Sequence, residues 1–169
     1  MEANTALTNV NTEIAKIQKE IIEDTKTDQK VAIQAEAGKL QGEMNKALAD
    51  GTIAQETVKT QIKQTQANLV ATYLEMELKR ANIEYTKEQT KAIADQIAQG
   101  YINAFANRRN ANTNETNADT NLHRQIKDAL YQNGILELGD RKLNQDLILG
   151  TADILTGVKP NGVQFKGYR

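Results

Sequence analysis

From Val10 the apolar positions step by four, three and four through Ile14, Ile17 and Ile21, which is the a/d seam of a heptad helix. The seam weakens at Asp24 and Asp28. Ile22, Ile33 and Met44 continue at steps of eleven, a shift that straightens a helix or changes the hand of its supercoil. Leu40, Met44 and Leu48 close this run. Asp50-Gly51-Thr52 then punctuates the chain: Gly51 suits a left-handed C′ position, and Thr52 with Gln55 forms a Thr-x-x-Gln capping box. The pattern predicts a helix over about 5–49 and another starting at 53. The alternative is a kink within one continuous helix, because a single Gly is tolerated there.

Between Thr52 and Asn133 there is no Pro and, after Gly51, only Gly100. The spacing predicts one central helix over 52–133, on the order of 115 Å long. No domain of 169 residues supports such a helix alone, so neighbouring copies or partners are required. After Asn133-Gly134 the most apolar face of the chain begins, with Leu136, Leu143, Leu147 and Ile154 and with Leu149 and Leu155 beside them. It predicts a helix over 134–157, ended by Gly157 and Pro160. Residues 158–169 carry Lys159, Lys166 and Arg169 with no acidic residue, and read as an irregular docking tail with Phe165 and Tyr168. The four segments 1–51, 52–133, 134–157 and 158–169 give an all-α chain of long kinked helices, elongated and suited to an oligomeric helical tube.

The central segment has an unusual polar face. Residues 103–121 contain seven Asn, and six of them (Asn103, Asn107, Asn110, Asn114, Asn117 and Asn121) alternate at steps of four and three. The same register runs back through Gly100, Gln96, Ile93, Gln89, Thr86, Asn82, Lys79, Glu75, Thr72, Asn68, Thr65 and Gln61. Beside it lies a stripe at intervals of seven: Ile62, Leu69, Met76, Ile83, Thr90 and Ile97, then Ala104, Ala111 and Ala118. The other flank carries Ala71, Leu78, Tyr85, Ala92, Gln99 and Ala106. Charges such as Arg80, Glu84, Lys87, Lys91, Arg108 and Arg109 gather on the remaining face.

A two-stranded coiled coil would bury these amides against each other, at about 1–3 kcal/mol for each one left unpaired. A ring of helices would not. Each helix would touch two neighbours through Ile62, Leu69, Met76, Ile83, Ile97, Leu78 and Tyr85, and the amide seam would face a hydrated lumen. Two other arrangements fit the same residues: an antiparallel bundle with the seam in bulk water, and a disordered 103–121 whose spacing is accidental.

Composition sharpens this reading. The chain has no Cys, Trp or Ser and 4% aromatics, whereas its 48 Asn, Gln and Thr outnumber the 43 charged residues. A dense spherical core is not expected from so few bulky side chains. Lack of Cys excludes disulfides, thiol catalysis and Cys-type zinc sites. The single His123 has no nucleophile or metal-ligand partner at i+4, and the pairs Glu75/Glu77 and Glu84/Glu88 read as solvated helix faces. No enzyme, metal or cofactor is expected. A net charge of −1 argues against a protein that coats nucleic acid. No run of 18 apolar residues and no signal-peptide layout occur, so the expectation is a soluble, untargeted chain.

The stretch Asn82-Ile83-Glu84-Tyr85-Thr86-Lys87-Glu88-Gln89, the Asn/Thr-rich 107–121 and the short Gly-rich basic end lie in a Pro-free, Cys-free helical pattern. In these features, over roughly 50–135, the chain resembles the DNA pilot proteins (minor spike proteins) of microviruses, the small single-stranded-DNA phages. The resemblance implies a closed homo-oligomer of about ten copies, a helical barrel that conducts the viral single-stranded DNA across the host envelope. It also implies residence in the virion, contact with capsid proteins, and an inner wall of amide and guanidinium groups. Members usually carry an apolar, membrane-seeking segment near the N-terminus and are commonly longer. This chain shows no such segment, so direct membrane insertion is not implied for it.

A neutral polar lumen suits a conduit. Dense Lys and Arg would hold phosphates through counterion release, whereas amides and hydroxyls offer weak, interchangeable hydrogen bonds along which a strand slides. The rival from a different class is a helical filament or virion scaffold subunit, a solid assembly that buries the seam between subunits.

Overall fold

The computed structural model describes residues 11–12, 14–16, 19, 27–49, 56–108 and 115–156. Every described element is helical, and the chain is all-α as expected. The helices are α1 (Thr27–Ala49), α2 (Glu56–Arg80), α3 (Lys87–Arg108), α4 (Glu115–Gln132), α5 (Ile135–Leu138) and α6 (Arg141–Thr156).

α2 is the axis of the fold. From Thr65 to Leu78 every side chain except Asn68 and Glu75 is buried. A helix apolar around most of its circumference is a core helix rather than an amphipathic surface one. α1, α3 and α6 pack directly on it, α1 also meets α6, and α4 closes the far side by touching α3 and α6. Ile33, Leu40 and Met44 of α1 join Leu69, Tyr73, Leu74 and Met76 of α2 in one core with Ile102, Ile126, Leu130 and Leu147. Ile14, from the first heptad run, is also buried there. Val10, Ile17 and Ile21 lie outside the described residues, as do 50–55 with the Thr52–Gln55 box.

The expected helix over 52–133 is not one helix. α2 ends at Arg80 and the chain reverses into α3, because two local signals outweigh the continuing heptad. At the end of α2, Ile83 N donates to Leu78 O (2.9 Å) and Asn82 N to Lys79 O (3.0 Å), with Asn82 at φ 58°. This is a Schellman stop with Asn, the residue after Gly that best tolerates that conformation, at C′. At the start of α3, Thr86 N donates to Gln89 Oε1 (2.9 Å) and Gln89 N to Thr86 Oγ1 (3.1 Å), a complete capping box. α3 and α4 then run antiparallel, with Gln96 Nε2 donating to Gln132 Oε1 (3.3 Å) and Gly100 facing Gln125.

The expected helix over 134–157 is also divided. Gly134, at φ 78°, starts the single-turn α5, and Asp140 Oδ1 accepts from Leu143 N (2.7 Å) to cap α6. Leu143, Leu147, Ile154 and Leu155 are buried as their spacing required, whereas Leu149 is 43% exposed. Residues 157–169, with the basic tail, lie outside the described residues. No helix among the described residues is long and apolar enough to cross a membrane.

Candidate functional site: the amide seam

Along α2 the seam residues are part of the bundle. Thr65 and Thr72 are 1% and 0% exposed, and each hydroxyl donates to its own helix, to Gln61 O (2.9 Å) and Asn68 O (2.8 Å). A Thr bonded to the i−4 carbonyl needs no outside partner and can sit in a core. Gln61 and Asn68 are half-buried, and Gln61 Oε1 is out of solvent without a hydrogen-bond partner. Glu75 is half-buried as well. Burial pushes its carboxyl above the usual range, with Lys87 opposing, and its Oε1 lacks a hydrogen-bond partner. Lys79 is exposed.

At the reversal the seam changes character. Asn82 is the Schellman C′ residue, and Thr86 and Gln89 are occupied by the capping box. Along α3, Gln89, Gln96 and Asn103 are exposed at steps of seven, while Ile93 between them is buried. Asn103 Oδ1 accepts from Gln99 Nε2 (2.9 Å). The side chains of Asn107, Asn110, Asn114, Asn117 and Asn121 lie outside the described residues. The seam is therefore two faces rather than one: a half-buried one on α2, turned into the bundle, and an exposed one on α3.

The residues expected to contact neighbouring helices do so within the chain. Ile62, Leu69, Met76, Leu78 and Ile97 are buried core. Ile83 and Tyr85 pack partly against that core, and the Tyr85 hydroxyl donates to Asn133 O at the end of α4. The described helices form a bundle within one chain, but not the arrangement with the seam in bulk water, because the seam from Gln61 to Glu75 on α2 is buried or half-buried. Glu77 corrects a further expectation. It is 6% exposed rather than solvated, with Arg80 at 3.7 Å.

The reversal leaves a cleft of about 730 Å³ between the end of α2 and the start of α3, lined by Leu78, Ile83 and Tyr85 with Glu75 and Lys87 at its edge. Its sequence signal was present. Thr86-x-x-Gln89 repeats the form of Thr52-x-x-Gln55, but the unbroken heptad through Ile83 masked it. Among the described residues no three His, Cys, Asp or Glu side chains come together, and His123 is half-buried on α4. The chain matches no protein-family model, no curated protein sequence and no solved structure.

Proposed function

We propose that this chain is a non-enzymatic virion protein of the microvirus pilot type, whose copies assemble into a helical tube that conducts single-stranded DNA across the host envelope. The observation that carries the reading is the amide at every seventh position from Gln61 to Asn117, with Glu75 as the one departure, a register that continues through the reversal at 81–86. A hairpin needs no such continuity. A straightened helix does, because the period of 3.5 keeps one face inward over many turns. The bundle is then the form of the single chain. In the tube, α2, α3 and α4 become collinear and exchange their partners within the chain for the same stripes of neighbouring copies. Gln89, Gln96 and Asn103, already exposed on α3, are the part of the seam that a lumen takes over without leaving a core. Capsid proteins are the partners in the virion.

The test is replacement of Asn107, Asn110, Asn114 and Asn117 by Leu. Helicity by circular dichroism stays intact and DNA delivery during infection falls; undiminished delivery overturns the conduit. A second reading, a solid scaffold subunit, is favoured by one observation: the apolar stripes of α2 are already satisfied inside the chain. Electron microscopy of the assembled particle separates the two, since a conduit is hollow and a scaffold is filled.

A further inference from the structure

Away from the amide seam, α4, α5 and α6 enclose a groove of about 480 Å³. Tyr131 and Leu149 on its wall are two of the three large apolar side chains left exposed among the described residues, at 51% and 43%. Ile148, Gln145, Leu136 and Asn144 also line it, Lys127 and Arg141 supply its charge, and no carboxylate lines it. Lys127 Nζ stands 5.9 Å from the centroid of the Tyr131 ring. The groove thus carries two cations and no acid in a chain of net charge −1.

We propose that this groove holds a nucleotide unit of single-stranded DNA. The base lies against the Tyr131 ring and the Ile148–Leu149 wall, and Lys127 and Arg141 take the adjoining phosphates. An exposed aromatic face beside cations is the arrangement by which single strands are bound without sequence preference. Other occupants fit less well. A second copy docked face to face would set Lys127 and Arg141 against their own counterparts. The chain's own residues 158–169 carry three cations and no acid, and are repelled in the same way. The choice of DNA over RNA rests on the proposed function; the groove itself makes no use of the amide seam.

The test is fluorescence anisotropy of a short labelled oligothymidylate titrated with the full chain. Tyr131→Ala and Tyr131→Leu weaken binding about tenfold, the loss of one base–aromatic stack, and Tyr131→Phe leaves it unchanged. Lys127→Gln with Arg141→Gln lowers the slope of log affinity against log salt by about 1.4, or about 0.7 for each phosphate contact on a single strand. These three side chains are exposed, so circular dichroism of each variant matches the parent. Equal affinity of Tyr131→Ala and the parent overturns the groove, and so does tighter binding of an acidic amphipathic peptide than of the oligonucleotide. If binding is lost only when the seam Asn are replaced by Leu, the groove is wrong and the conduit reading stands. If binding follows the groove variants while the seam variants remain fully infectious, the groove stands and the conduit reading falls.

Discussion

Tyr73 shows at the level of one residue why so few aromatics suffice. It is wholly buried in the middle of α2, and its hydroxyl donates to Asp146 O on α6 (2.9 Å). α6 approaches this ring at Gly150, where an added Cβ would lie 2.0 Å from the Tyr73 hydroxyl and 2.2 Å from Cζ. Gly150→Ala therefore forces the two helices apart, and a loss of about 1–3 kcal/mol is expected in urea unfolding. The phenol is also held protonated. Burial is the main cause, reinforced by Glu77, Asp146 and Asp153 and opposed by Arg80. In the unfolded chain it ionises at about pH 10, so above that pH the folded state binds the extra proton. Stability contributed here is fully present below about pH 10 and declines as pH rises further. Tyr73→Phe removes that decline, measured as a smaller drop in urea midpoint between about pH 9 and 11 than in the parent, and lowers neutral-pH stability by about 1 kcal/mol.

Among the elements, the α2–α3 hairpin is decided by a handful of residues. Asn82→Ala places a less tolerant side chain at φ 58° and costs about 1 kcal/mol, whereas Asn82→Gly is neutral or stabilising. Thr86→Ala opens the capping box at a further cost of about 1 kcal/mol. Chemical denaturation of each variant checks both values. What the sequence made legible follows from this. Helical content and the break at 134 were readable because Gly134 stands out there, whereas the expected break at 50–52 lies outside the described residues. The reversal at 81–86 was not, because Ile62, Leu69, Met76, Ile83, Thr90 and Ile97 recur every seven residues whether their neighbour is another copy or the same chain folded back. The α2 half of the seam was misleading for a related reason. Thr65 and Thr72 bond to their own helix, so polar residue types occupy core positions without a partner. Glu77 was misjudged because i, i+3 spacing to Arg80 looks the same on a wet face and on a buried one.

For the whole molecule, the bundle and the proposed tube draw on one set of apolar stripes and exclude each other. Leu69, Met76 and Ile97 cannot face α1, α3 and α6 while also facing neighbouring copies. Assembly into the proposed tube would thus require each chain to open, with the energy of the core recovered between copies. A lock on the bundle tests this directly. Gln96 and Gln132 touch across α3 and α4, both are exposed, and the chain has no Cys to compete. Gln96→Cys with Gln132→Cys, joined by a thiol-cleavable bis-maleimide, pins α3 against α4 and prevents the two from becoming collinear. The locked chain is expected to remain helical and to sediment as small particles at concentrations where the parent assembles. Cleaving the linker restores assembly. A locked chain that still forms hollow tubes shows instead that the bundle itself is the building block, and that the amide spacing serves the surface of α3 alone.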